Sequence, residues 1–229
     1  MQWNWIPEYL PDFFDGIIIT LKLLSVSIII GMALAIPIGL VQVTGPRWLA
    51  WIARAFCTVV RGTPLLIQLW LLYYGLGSLF PLMPGIRESF LWPILRDAFP
   101  YAVLAFSISV AGYEGEVMRG AFKSVPKGEL EAARAFGMSR FTVLRRIWLP
   151  RALQNVLPTL AGEFVLTLKS TPLAATITVF DVYGVGSIVR QETYRIYEPL
   201  LLVAGIYIVL TAVIVVLFRR LENRVPRPV

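Results

Sequence analysis

The sequence predicts an all-α, polytopic transmembrane bundle, one domain over residues 1–229 with five spans, its N-terminus outside and its C-terminus in the cytoplasm. Three observations predict it. The chain is 57% hydrophobic and 15% charged, whereas soluble domains carry about 25% charged residues. Its apolar runs approach the roughly 20 residues that a helix needs to cross hydrocarbon. Lys and Arg gather in alternate connecting segments, the signature of loops retained in the cytoplasm.

The first span runs from about residue 16 to 43, long enough to tilt, with Pro37 as an expected kink and Lys22 able to snorkel. The start of the chain carries Glu8, Asp12 and Asp15 and no Lys or Arg before this run. A cleavable signal would have a basic start and a shorter apolar stretch, so the segment reads as a retained span. The second span covers about 56–80, its clearest part beginning at Pro64 after a semi-polar stretch from Trp48 to Val60. Arg61, Gly62, Thr63 and Pro64 break it, and Arg61 suits bonding to carbonyls freed there. The third, about 98–118, starts at the N-cap Asp97 with Pro100 in its first turn. The fourth covers 152–173 and the fifth 200–218.

Topology follows from charge. Arg47, Arg54 and Arg61 separate the first two spans. Arg119, Lys123, Lys127, Arg134, Arg140, Arg145, Arg146 and Arg151 fill the loop at 119–151, and Arg219, Arg220, Arg224 and Arg227 follow the last span. The opposite segments are acidic or balanced: Arg87 with Glu88, Arg96 with Asp97, then Asp181, Arg190, Glu192, Arg195 and Glu198. The net charge of +7 is thus a topology signal, and no basic stripe with interleaved aromatics suggests nucleic acid. With no His and only Cys57, the chain has no Cys/His metal set and no Cys–His nucleophile pair, so no catalytic or metal residue is expected. The tryptophans, Trp48, Trp51, Trp92 and Trp148 among them, suit an interfacial belt.

The loop at 119–151 predicts two helices. Pro126 opens the first, Glu129 and Glu131 favour its early turns, and Gly137 follows its end at Phe136. Ser139 caps a second from Arg140 to about Trp148, stopped by Pro150. Ala132, Ala133 and Ala135 offer a small-residue face flanked by Glu131 and Arg134, suited to docking in a partner's groove. An ordinary amphipathic connection obeys the same capping rules.

Glu131-Ala132-Ala133, three residues, Gly137, nine residues, then Ile147-Trp148-Leu149-Pro150 resembles the EAA signature of permease subunits in bacterial ABC importers. RGTPLLIQL from Arg61, GYEGEVMRG from Gly112, SVPKGELEAA from Ser124 and LKSTPLAATIT from Leu168 resemble the polar amino-acid permeases of the histidine, arginine, octopine and glutamine type. Gly112, Gly115 and Pro172 depart from the commoner residues. The resemblance implies a type I ABC importer permease fold in the bacterial inner membrane, with membrane lipid around it. It assigns ATPase coupling to Glu131, Ala132, Ala133 and Gly137, with Ile147, Leu149 and Pro150 completing the signature. It implies as partners an ATP-binding-cassette dimer, a second, related permease and a periplasmic amino-acid-binding protein. ATP and Mg would sit on the ATPase and no cofactor on this chain, which lacks GxxxxGK[ST]. Arginine, ornithine, histidine, octopine or nopaline are the substrates it favours.

Polar residues in the fourth span are the substrate-pathway candidates. Thr159, Glu163, Thr167 and Ser170 share one helix face, while Lys169 points elsewhere, toward the outer gate or interface. A charge at mid-membrane is costly and marks function or interhelical pairing. Arg61, Gly62, Thr63, Pro64 and Glu116 are structural or gating candidates, with Glu114, Glu116 and Arg119 expected to form one network remote from substrate. A proton-coupled carrier using Glu163, or a non-transporting scaffold, are the competing readings.

Overall fold

The computed structural model describes residues 3–224, so Met1, Gln2 and Arg227 lie outside the described residues. Among the described residues every regular element is helical. We number them α1 (Ile6–Thr44), α2 (Arg47–Gly62), α3 (Leu65–Leu82), α4 (Trp92–Leu95), α5 (Ala98–Ser124), α6 (Lys127–Ala135), α7 (Arg140–Ile177), α8 (Val182–Thr193) and α9 (Tyr197–Arg224).

The first helix begins ten residues before the expected position 16, at Ile6, and continues through Pro37. Trp5 at its N-cap and Phe13 in its early turns pack with Val182, Val185 and Val189 of α8 and give that polar-flanked start an apolar face to bury. The second span is two helices. Thr63 is extended, with φ −113° and ψ 138°, because Pro64 disfavours the helical region for the residue before it. Asp97 caps α5, its carboxylate accepting the Phe99 N–H at 3.1 Å, and the helix runs past 118 to Ser124.

Pro150 does not stop a helix. Residues Leu144–Trp148 adopt a π-helical turn and the chain continues through Pro150 to Ser170 before tightening into a 3-10 turn, Thr171–Ile177. A π turn shifts the hydrogen-bond register by one residue, which absorbs the donor that proline lacks. The charged segment before α9 forms a further helix, α8. α8 meets α7 at a 50° bend.

That bend is held by a buried polar knot. Asp181, counted from sequence among the outer charges, is fully buried. Its carboxylate accepts the Gly184 N–H at 2.9 Å and the Tyr207 hydroxyl at 2.8 Å. Thr171 shares a hydrogen bond with Tyr207 at 2.8 Å, and Val182 N–H donates to Thr20 of α1. The knot therefore ties α1, α7, α8 and α9 at one end of the bundle.

The bundle is built around α5, which packs against α1, α2, α3 and α7, most extensively against α1. Glycines permit the approach. A Cβ at Gly39 would lie 2.7 Å from Met118 Cβ, and one at Gly112 would lie 2.5 Å from Val60 Cγ1. At Gly115 it would lie 2.8 Å from Ile38 Cγ2. The glycines that depart from the commoner residues are therefore demanded here by close neighbours on α1 and α2.

By length and composition, Ile6–Thr44, Leu65–Leu82 and Tyr197–Asn223 can each cross a membrane, and the bent pair α7–α8 makes a fourth. Half of the 27 residues of α5 are buried, Glu114 and Ser107 among them.

Candidate functional site

A cleft of about 430 Å³ opens between the α2–α3 break, α5 and α7. Arg61, Gly62, Thr63 and Pro64 line one wall, Ser109, Tyr113 and Glu114 of α5 a second, and Glu163, Thr167 and Ser170 of α7 the third. The helical period brings the last three onto one face. Thr167 and Ser170 donate to the carbonyls of Glu163 and Leu166, each at 2.9 Å, which leaves the hydroxyl lone pairs free to accept.

Thr159, on the same face, lines the neighbouring groove instead, and Lys169 is exposed and lines neither. Glu114, placed by sequence in a network with Glu116 and Arg119, sits apart from it. Glu114 is 3% exposed, with one carboxylate oxygen buried and unpartnered, and lines the cleft with Glu163. Glu116 does pair with Arg119, whose Nε lies 2.8 Å from its carboxylate. The two glutamates are two positions apart, so the helix turns them to different sides.

The break is satisfied by Gln68, which sequence reasoning missed. Its amide donates to the Val60 carbonyl at 2.8 Å and to the Thr63 carbonyl at 3.1 Å. Thr63 Oγ1 donates to the Val59 carbonyl at 2.9 Å. Arg61 takes a different role: its guanidinium lies over the Tyr113 ring, 5.7 Å from the centroid, at the cleft wall. A glutamine one turn after a Gly-Thr-Pro break was the available signal.

At the opposite end of α5 the short helix α6 closes as expected. Gly137, at φ +79°, follows it, its N–H donating to Arg134 O at 2.9 Å while Met138 N–H donates to Ala133 O at 3.2 Å. Together these form a Schellman cap, which needs a left-handed residue. Ser139 Oγ accepts the Thr142 N–H at 3.2 Å. Ala133 is buried with Leu130 against Val143 and Met118, so it does not belong to the outward small-residue face. Glu131, Ala132, Ala135 and Phe136 form that face, Phe136 at 86% exposure.

Three contacts tie α5, α6 and α7 together around this unit. Arg151 Nε meets Glu129 at 3.1 Å, Asn155 donates to Ser124 Oγ at 2.9 Å, and Trp148 Nε1 donates to Phe122 O at 2.8 Å. Trp148 is thus an internal anchor rather than part of an interfacial belt, in contrast to the exposed Trp48 and Trp51. Ile147 and Leu149 pack into the same core, so the end of the signature holds α7 to α5 and α6.

Residues 27–227 match the family described as the binding-protein-dependent transport system inner membrane component. This chain belongs to that family. It is a permease, a transport subunit of the inner membrane and not an enzyme. The octopine transport system permease protein OccM of Rhizobium meliloti is 42% identical over 90% of this chain and 83% of its own length. The nopaline transport system permease protein NocM of Agrobacterium fabrum is 35% identical over 91% and 86%. The histidine/lysine/arginine/ornithine permease HisM of Escherichia coli K12 is 37% identical over 92% and 87%. A solved amino-acid ABC transporter with histidines superposes with a TM-score of 0.80 at 31% identity, covering 98% of this permease and all of that chain.

Proposed function

We propose that the permease carries basic amino acids or opines through the α2–α3, α5 and α7 cleft, by alternating access driven by a separate ATPase dimer. Arginine, ornithine, histidine, octopine and nopaline share a cationic group with a polar α-carbon end. The observation that carries this reading is the pair of carboxylates, Glu114 and Glu163, lining one cleft beside two hydroxyls. A cation desolvated there gains charge-assisted hydrogen bonds that a neutral substrate cannot make. The names of the similar octopine, nopaline and histidine/lysine/arginine/ornithine permeases support the same class.

In this reading the whole chain is one permease domain whose fifth span is α5, its polar residues turned to protein rather than lipid. The N-terminus is periplasmic and the C-terminus cytoplasmic, as the Lys and Arg distribution requires. A second, related permease completes the pathway, a periplasmic binding protein delivers substrate, and ATP and Mg bind the ATPase only. Glu131, Ala132, Ala135, Phe136 and Gly137 meet that ATPase, while Ala133, Ile147, Leu149 and Pro150 hold the docking helix to the bundle. Because α6 is fastened to α5 and α7, rigid-body closure of the ATPase tilts both helices.

Glu163→Gln in the reconstituted transporter tests the cleft. Uptake of arginine is expected to fall at least tenfold, about 1.4 kcal/mol, with complex assembly unchanged. Equal uptake in both versions removes Glu163 from the pathway. Glu131→Ala with Phe136→Ala, two exposed residues of the outer face, tests coupling: ATP-driven uptake is lost while the folded permease persists, and retained uptake sinks the docking assignment.

A further inference from the structure

A second groove of about 330 Å³ lies next to the first, where Glu116 and Ser124 of α5 and Asn155 and Thr159 of α7 are set among Val117, Gly120, Ala121 and Val156. It continues the same helix faces. On α7, Asn155 and Thr159 precede Glu163 and Thr167 at steps of four residues, and on α5 Val117, Ala121 and Ser124 continue from Val110, Tyr113 and Glu114 at helical spacing. The groove thus begins one turn from the cleft and runs toward α6.

We propose that this groove is a second station for the cationic substrate on its way out, gated by the exchange of Glu116 between Arg119 and the substrate cation. The inference rests on the proposed pathway through the cleft. Arg119 and Glu116 are neighbours three residues apart on one helix, both partly exposed, and such pairs hold weakly. A guanidinium or ammonium leaving Glu163 meets Glu116 next along the groove and can replace Arg119 with bonds of the same kind. Arg119, displaced, is then free to swing from the groove mouth. Asn155, already bonded to Ser124, and Thr159 offer oxygens that accept from the polar remainder of the substrate.

The test uses the full transporter, with its ATPase, companion permease and binding protein, in inside-out vesicles. Thr159→Cys is made in a Cys57→Ala background, since Cys57 is the chain's one cysteine, and labelled from the cytoplasmic face with a cationic methanethiosulfonate. Saturating arginine is expected to slow labelling at least threefold, with glutamate without effect, and Glu116→Gln is expected to abolish the protection. Arg119→Gln, which removes the ion-pair partner of Glu116, is expected to strengthen it. Labelling indifferent to arginine, or protection surviving Glu116→Gln, overturns the proposal. Loss of the cleft reading shows separately, as uptake unchanged by Glu163→Gln, while protection at position 159 is read without reference to uptake. If Thr159→Cys fails to assemble, Asn155→Cys provides the same readout from the same wall.

Discussion

α9 holds the most apolar spanning window, and only 6% of that window is buried in the chain. α5 carries Ser107, Ser109, Glu114, Glu116 and Arg119, yet half its residues are buried and four helices pack on it. In water the more apolar helix would be the core. In a bilayer the solvent is as apolar as leucine, so apolar surface has no reason to leave it, and helices associate through close packing and polar contacts. Polar residues then collect on the central helix, and continuous apolarity marks the periphery.

Substitutions on the two helices separate these roles. Glu114→Leu is expected to have the largest effect, lowering arginine uptake at least tenfold while the folded protein is no less stable, because it removes a buried carboxylate oxygen without a partner. Transport assays and thermal unfolding in detergent check the two halves; unchanged uptake would make α5 a structural core only. Gly39→Ala drives a Cβ to within 2.9 Å of Arg119 N, so the α1–α5 backbones must part, costing about 3 kcal/mol. Its melting temperature should fall accordingly. Trp148→Phe keeps the ring against Phe122 but loses the 2.8 Å bond to its carbonyl, costing about 1 kcal/mol. Val213→Ala on the exposed face of α9 should change the melting temperature of the isolated chain by less than the equivalent of about 0.5 kcal/mol. A larger loss there than at Gly39 would reverse the assignment of core and periphery.

The elements legible in the sequence are those governed by neighbours in the chain. Asp97, Ser139 and Gly137 cap where expected, because each cap is a bond between residues two to five positions apart. The shared face of Glu163, Thr167 and Ser170 followed from the helical period, and the cleft accepts all three. Pro150 misled because the rule that proline ends a helix assumes an α register, and a π turn precedes it. Glu114 misled because helical neighbours grouped it with Glu116, whereas the cleft selects by direction around the helix. Gln68 drew no attention because the carbonyl it serves at Val60 lies eight residues back, across a break.

The sequence by itself determined a membrane-embedded helical chain, its charge asymmetry and the capped helix α6. Composition, loop charge and capping are local quantities, and no fold is needed to evaluate them. Only the tertiary structure decided that α5 is the axis of the bundle, that Gly112 and Gly115 are required by Val60 and Ile38, and that Asp181 is buried in a knot with Tyr207. Each of those depends on a neighbour far away in the chain. A lipid-soluble sequence does not reveal such neighbours through hydrophobicity, because in hydrocarbon burial leaves no apolar imprint.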